Sequence, residues 1–225
     1  RCRPGARSVG SPRVRTIACL AVLLGSCAAR APAQDPFDPF PALGELATEG
    51  RQLSFGVGMR AYEDPDFGRL DEPIALALDY CEPMGFRRLR LEGGLHYTYD
   101  EADDQRSGGE DVRLQATTLE LSAGVNWSIL LGRRLRPYVG GGAALQFLNL
   151  RGLDTDIDAI FDDDDASFGG YAKAGLAFQV SQTTFVGVEA RHFEGGDVDL
   201  DGTELGTSYD QFLIVFGTSL APKRP

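Results

Sequence analysis

The sequence has little cysteine and no apolar run long enough to cross a membrane as a helix. Of its four cysteines, only Cys81 lies beyond residue 33, so a chain processed near that point has no partner for an internal disulfide. No spacing resembles a zinc site. The apolar run from Ile17 to about Leu24 is far shorter than the ~20 residues that a spanning helix needs. These absences argue against a disulfide framework, a zinc module and a helical span.

Positive charge is also scarce. The chain has 22 basic and 33 acidic residues, for a formal net charge of −11. Its first 33 residues contain Arg but no Asp or Glu, so the remainder is still more acidic. Such a chain will not bind nucleic acid through phosphates, because that requires clustered Lys and Arg. It would instead attract cations or basic partners.

The N-terminal region predicts export. Residues 1–33 combine a basic start, the short apolar run and the small-residue motif Ala31-Pro32-Ala33, which is the pattern of a cleaved signal peptide. An alternative cleavage is indicated by Leu24-Gly25-Ser26-Cys27, which resembles the lipobox that would leave Cys27 lipidated. Residues 34–50 are rich in proline and predict a periplasmic linker.

Beyond the linker the dominant period is two, which indicates β-strands. The segment around residue 90 is typical: Leu91, Leu95 and Tyr97 take one face, and Arg90, Glu92 and His96 take the other. Similar alternation predicts eight strands within a domain at 51–220, followed by a tail at 221–225. The predicted strands are at about 53–60, 74–80, 88–99, 118–129, 138–147, 172–180, 186–191 and 211–220.

The connections between these strands alternate in length. The long ones, at 62–73, 100–112, 151–167 and 194–209, contain 23 of the 33 acidic residues. The short ones are near 82–87, 130–134 and 181–183. Transmembrane barrels have this asymmetry between long extracellular loops and short periplasmic turns. We therefore predict an all-β fold, a closed, eight-stranded, antiparallel, up-and-down transmembrane β-barrel with four long acidic extracellular loops, and we expect a monomer.

Alternation alone leaves open which face is inside, since a soluble lipocalin-like barrel has an inward apolar face. The face opposite the apolar one carries charges of both signs in mid-strand, while aromatic residues lie towards strand ends as in an interfacial girdle. This favours the membrane barrel, with the charges paired across a narrow lumen as a plug rather than a conduit. The predicted lumen charge network is Arg60, Asp79, Arg90, Glu92, Glu120, Lys173, Glu189 and Arg191.

Two segments resemble strands of the small outer-membrane β-barrel family of the OmpA and OmpX type. Residues 136–143, Arg-Pro-Tyr-Val-Gly-Gly-Gly-Ala, are similar to its Gly-rich fifth strand. Residues 186–193, Val-Gly-Val-Glu-Ala-Arg-His-Phe, are similar to its Gly-x-Glu-x-Arg strand near the C-terminus. The resemblance implies a bacterial outer-membrane protein of the cell envelope, in contact with outer-membrane lipid and lipopolysaccharide. It implies a non-enzymatic role in structure or surface interaction.

One acidic segment suggests a cation site. Asp197, Asp199 and Asp201 precede a glycine, as in the first half of an EF-hand calcium loop. The closing Glu is missing, because Ser208 occupies the twelfth position. We therefore expect at most weak Ca²⁺ binding in the extracellular loops, and no other cofactor.

An enzyme alternative is a lipid A deacylase, a second family of eight-stranded outer-membrane barrels with a His-x-Ser pair near the C-terminus. His192 lies at a comparable place and, by parity, faces lipid. However, Glu194 occupies the position of the nucleophilic Ser, and a Ser-His-acid mechanism needs that hydroxyl. The sequence therefore favours a protein that is not an enzyme.

Overall fold

The computed structural model describes residues 50–64, 73–85, 88–105, 111–131, 134–154, 161–181, 183–200 and 203–220. These residues form ten β-strands and no helix. No helix in this part of the chain is therefore long and apolar enough to cross a membrane. The strands are β1 (Arg51–Tyr62), β2 (Ile74–Pro83), β3 (Leu89–Gln105), β4 (Asp111–Ser128), β5 (Leu135–Asp154), β6 (Phe161–Gln179), β7 (Thr184–Gly195), β8 (Asp197–Leu200), β9 (Thr203–Gly206) and β10 (Tyr209–Leu220).

Eight of the strands close into one antiparallel barrel, in the order β1-β10-β7-β6-β5-β4-β3-β2. The first and last barrel strands pair in register, with Phe55 opposite Phe216 and Arg51 opposite Leu220. Closure leaves no strand edge with free backbone donors and acceptors, as a lipid environment requires. The predicted eight-stranded antiparallel barrel is confirmed. We call the end with Arg51 and Leu220 the terminal end, and the opposite end the loop end.

The barrel is apolar outside and polar inside. Outward side chains such as Phe55, Met59, Ile74, Phe212 and Ile214 are 47–64% exposed. They belong to an apolar belt that would be unfavourable in water but suits the hydrocarbon core of a bilayer. This polarity is the reverse of a lipocalin's, so the lipocalin-like alternative is excluded. The largest fully buried side chains inside include Arg60, Arg191, Gln146, Gln211, Glu92 and Glu120.

The strands run further towards the loop end than the sequence predicted. We expected connections at 100–112 and 151–167, but β3 continues to Gln105 and β6 begins at Phe161. Antiparallel pairing rests on backbone hydrogen bonds and does not need an apolar face. A hairpin can therefore continue beyond the apolar belt after the hydrophobic alternation has stopped.

The region predicted as a loop at 194–209 also contains ordered structure. Within it, β8 and β9 form a separate two-stranded hairpin in which Val198 pairs with Leu205. The predicted signal peptide (1–33) with Cys27, the linker up to residue 49 and the tail (221–225) lie outside the described residues.

Candidate functional site: the barrel interior

The structure brings the eight charged residues of the predicted network into the barrel interior, and all eight are buried. They form two salt-bridged groups at different levels. We call the first the Glu120 cluster (Arg60, Glu120 and Arg191) and the second the Lys173 cluster (Asp79, Glu92, Lys173 and Glu189). The remaining member, Arg90, donates from Nη1 to Gln52 Oε1 at 2.7 Å.

The Glu120 cluster joins opposite walls of the barrel. Glu120 on β4 accepts from Arg60 Nη2 at 3.4 Å, and its other oxygen pairs with Arg191 Nη2. The hydroxyl of Tyr209, on the strand diametrically opposite β4, also donates to Glu120. The Arg60 guanidinium lies 3.7 Å from the centre of the Tyr209 ring. One carboxylate is thus held by two cations and a phenol, which compensates the cost of burying its charge.

The Lys173 cluster has one ammonium among three carboxylates. Lys173 Nζ lies 2.8 Å from Glu92 Oε1, 3.1 Å from Glu189 Oε2 and 3.6 Å from Asp79 Oδ2. Lys173 is on β6 and Asp79 is on β2, which are opposite strands of the barrel. The side chains of Lys173 and Asp79 therefore meet across the full width of the lumen.

His96 connects the two clusters. Its Nε2 faces Asp79 Oδ1 at 3.3 Å and Arg191 Nη1 at 3.0 Å. Its Nδ1 lies 3.1 Å from the amide nitrogen of Gln211, whose oxygen accepts from Arg60 Nε at 3.0 Å. His96 and Gln211 therefore join the two clusters into one hydrogen-bonded network.

Sequence reasoning placed neither Arg136 nor Tyr138 in the charge network. Arg136 is buried, and its guanidinium lies 4.7 Å from the centre of the Phe185 ring. The Tyr138 hydroxyl donates to Glu189 Oε2 at 3.0 Å. Both were assigned to a Gly-rich strand motif. They occupy the same alternate positions of that strand as its inward-facing glycines. Parity alone was the signal that would have placed them inside.

A small cavity lies beside the Lys173 cluster. Its volume of about 30 Å³ is enough for roughly two water molecules. Asp79, Glu92, Arg136, Tyr138, Lys173 and Glu189 are among the lining residues. The second oxygen of Glu189 has no hydrogen-bond partner within the described part of the chain. A water in this cavity would satisfy that oxygen, which is a common use of buried water.

The β8–β9 hairpin packs against the inner face of the barrel at the loop end. Val198 and Leu205 are buried against Leu148, and Tyr62 and Leu150 pack around them. These three partners belong to the inward faces of β1 and β5. The hairpin is also tied down by hydrogen bonds to the barrel wall, from the amide of Gly206 to Asp64 Oδ2 at 2.6 Å and from Ser167 Oγ to the Gly196 carbonyl at 3.1 Å. It therefore acts as an apolar cap on the polar lumen.

The predicted cation-binding aspartates lie on this hairpin. Asp197 and Asp199 are exposed residues of β8, and the Asp199 amide donates to Asp165 Oδ2 at 3.0 Å. Asp201 lies outside the described residues. Ca²⁺ binding by these side chains stays a prediction.

The outer wall carries the residue singled out for the enzyme alternative. His192 is partly exposed on the outward face of β7, as parity predicted, and its Nδ1 lies 3.0 Å from Asp210 Oδ1. Its Nε2 lies 3.3 Å from Glu194 Oε2. Acidic groups therefore face both ring nitrogens, and a carboxylate stands where the deacylase family has its serine.

An apolar belt around a closed, side-chain-filled interior defines a small transmembrane β-barrel. The family described as outer membrane protein beta-barrel domain matches residues 19–212, and the chain belongs to this family. It is a bacterial outer-membrane protein. No curated protein matches the sequence.

Several solved structures of outer-membrane proteins are similar to this chain. The outer membrane protein OprG from Pseudomonas aeruginosa is 11% identical with a TM-score of 0.56, and the match covers 79% of this chain and 99% of OprG. The attachment invasion locus protein Ail of Yersinia pestis is 12% identical with a TM-score of 0.47, covering 76% of this chain and 98% of Ail. The outer membrane enzyme PagL is 15% identical with a TM-score of 0.40, covering 75% of this chain and 99% of PagL. At these identities the likeness concerns the fold alone.

Proposed function

We propose that the protein is a non-enzymatic outer-membrane barrel with a closed lumen, which serves the cell envelope through structure or surface contacts rather than as a pore. The observation that carries this proposal is the meeting of Lys173 and Asp79 across the lumen at 3.6 Å. Eight-stranded barrels have an interior just wide enough for side chains to fill. The Glu120 cluster and the hairpin cap add two further layers.

Electrical recording tests the closed lumen. The purified full-length chain, reconstituted in a planar lipid bilayer, is expected to give no stable conductance steps. The matched comparison is a Glu120→Ala, Lys173→Ala double variant, which removes the centre of each cluster and should leak more than the parent chain. Stable, stepwise conductance by the unmodified chain would contradict the plugged lumen.

A surface role requires that the loop end faces outside. The four predicted long connections lie at this end and carry most of the acidic residues, whereas both ends of the barrel domain lie at the terminal end. We propose that the acidic loop end contacts lipopolysaccharide, with divalent cations between its carboxylates and the lipid phosphates.

A cysteine introduced at Asp163, which is described at the start of β6, should react with an impermeant maleimide on intact cells. Labelling only after the outer membrane is broken would reverse the orientation.

We also propose that the protein is a monomer, because a closed barrel has no strand edge to offer a second copy. Light scattering coupled to size-exclusion chromatography in detergent should give the mass of one chain plus its micelle. A mass of two chains would contradict this proposal.

A lipid A deacylase is the second candidate, and the outward His192 beside Asp210 is the observation in its favour. A lipid-facing histidine paired with an acid suits an enzyme that acts on membrane lipid. The missing serine hydroxyl opposes it, since Glu194 occupies that place. Mass spectrometry of lipid A from cells that express the protein, with His192→Asn as the matched control, decides the matter. Loss of an acyl chain that depends on His192 would establish the enzyme.

A further inference from the structure

Three metal-capable side chains converge on the outer wall of the barrel near the loop end. Glu63 follows β1, His192 is on β7 and Asp210 is on β10. Each offers one ligand atom, and these atoms all lie within 4.8 Å of one another. Ligands of a tetrahedral Zn²⁺ ion are roughly 3.3 Å apart when its bonds are about 2.0–2.1 Å. The cluster is therefore close to the dimensions of a coordination sphere.

Strand register brings these residues together. His192 and Asp210 are direct cross-strand partners on β7 and β10. Glu63 continues β1 beyond its last paired residue, and its amide donates to the Ser208 carbonyl at 3.0 Å. Ser208 is two residues before Asp210, so Glu63 is a diagonal neighbour of Asp210 on the outward face. The convergence follows from the closing of the barrel, which places β10 between β1 and β7.

Within the described part of the chain, the carboxylates around the imidazole have no ion-pair partner other than His192 itself. Glu194 adds a third carboxylate, 3.3 Å from His192 Nε2. Among the described residues, no Lys or Arg forms a salt bridge with Glu63, Glu194 or Asp210. The carboxylates of Glu63 and Asp210, whose ligand atoms lie within 4.8 Å of each other, repel one another, and a bound cation would relieve this repulsion.

We propose that Glu63, His192 and Asp210 bind a divalent transition-metal ion of the Zn²⁺ class. Carboxylate oxygen and imidazole nitrogen are both ordinary Zn²⁺ ligands, and the imidazole disfavours Ca²⁺ and Mg²⁺, which prefer oxygen. We assign Nδ1, the ring nitrogen on the Asp210 side, as the ligand atom, and in that tautomer Nε2–H would donate to Glu194. Metal-binding histidines are commonly held by such a carboxylate, which fixes the tautomer and ring orientation.

Three protein ligands leave at least one coordination position open. Glu63 is exposed, while His192 and Asp210 are partly exposed, so that position faces outward. The site lies just beyond the exposed pair Met59 and Phe212, at the edge of the apolar belt. It is separate from the lumen clusters and from Asp197 and Asp199 on the hairpin.

Metal titration of the full-length chain, refolded in detergent and free of affinity tags, tests the site. Calorimetry with Zn²⁺ should give one ion per chain, and Co²⁺ as a spectroscopic probe should give visible absorption bands typical of low coordination number. His192→Gln and Asp210→Asn should each weaken Zn²⁺ binding by at least about 10-fold, because even the loss of a group that only supports a ligand costs about 10–100-fold. Glu101→Gln, an exposed carboxylate of β3 outside the cluster, should leave the affinity unchanged.

Heat-modifiable gel migration shows whether each variant is folded before it is titrated. The proposal is overturned if the unmodified chain binds no Zn²⁺ at a concentration of about 100 µM. It is also overturned if the His192→Gln variant binds as tightly as the parent, or if Ca²⁺ competes as well as Zn²⁺. Either of the last two results would indicate non-specific binding of cations to an acidic surface.

Discussion

The ring of Tyr138 lies directly over Gly175, its cross-strand partner on β6. A Cβ atom at Gly175 would overlap the Tyr138 ring. Phe185 covers Gly217 in the same way on β7 and β10. At these two positions the inward aromatic ring occupies the space that a side chain on the neighbouring strand would need. This position of the ring in turn places the Tyr138 hydroxyl within hydrogen-bonding distance of Glu189.

Gly175→Ala is therefore expected to lower the free energy of unfolding by about 1–3 kcal/mol, the usual effect of overpacking. The measurement is urea unfolding of the barrel in lipid vesicles, followed by Trp127 fluorescence. Gly93→Ala is the matched control, because its nearest neighbouring atom would be 3.9 Å from the added Cβ. Equal losses in the two variants would refute the packing argument.

Glu120 is predicted to be the most sensitive charged residue of the interior. Glu120→Gln keeps the shape but removes the carboxylate charge with which both Arg60 and Arg191 pair. Removal of one partner from a buried ion pair costs about 3–5 kcal/mol, and we expect a loss of this size in unfolding free energy. Glu101→Gln on the exposed wall should change it by less than about 0.5 kcal/mol. A Glu120→Gln barrel as stable as the parent would show that the two arginines do not depend on this carboxylate.

Cys81 reports on the accessibility of the lumen. Its side chain is buried inside the barrel, with Sγ 3.6 Å from Glu92 Oε2. Burial shields a thiol from reagents, so the folded chain should not react with maleimide at Cys81, whereas the urea-unfolded chain should. Mass spectrometry of the peptide that contains Cys81 makes the comparison. Rapid labelling of the folded barrel would indicate an open interior.

The β8–β9 hairpin is expected to unfold locally while the barrel stays folded. Leu205→Ala removes part of the buried contact with Leu148, and large-to-small changes at buried sites cost about 2–5 kcal/mol. Here the loss of stability should be confined to the β8–β9 hairpin, because the eight barrel strands pair without it. Hydrogen exchange is expected to accelerate at 197–206 and to stay slow in β4 and β5. Acceleration throughout the barrel would mean that the cap and barrel unfold as one unit.

The sequence predicted the barrel because strand geometry is local. Side chains alternate between faces with a period of two, so parity alone assigned Arg90, Glu92 and Lys173 to one face and Leu91 and Leu95 to the other. The same rule placed His192 outside. Where the alternation ended, the prediction ended too, which is why the far ends of β3 to β6 and the hairpin were expected to be loops.

Parity determines a face but not a neighbour. The contacts between Lys173 and Asp79, between Tyr209 and Glu120, and between Tyr138 and Gly175 depend on strand order, register and closure of the whole sheet. The convergence of Glu63, His192 and Asp210 likewise exists only because β10 pairs with both β1 and β7. By itself, then, the sequence determined which residues share a face, since that follows from backbone alternation, and the mid-strand charges on one face favoured it as the lumen. Only the tertiary structure decided which of them meet, because pairing across a closed barrel is set by long-range register.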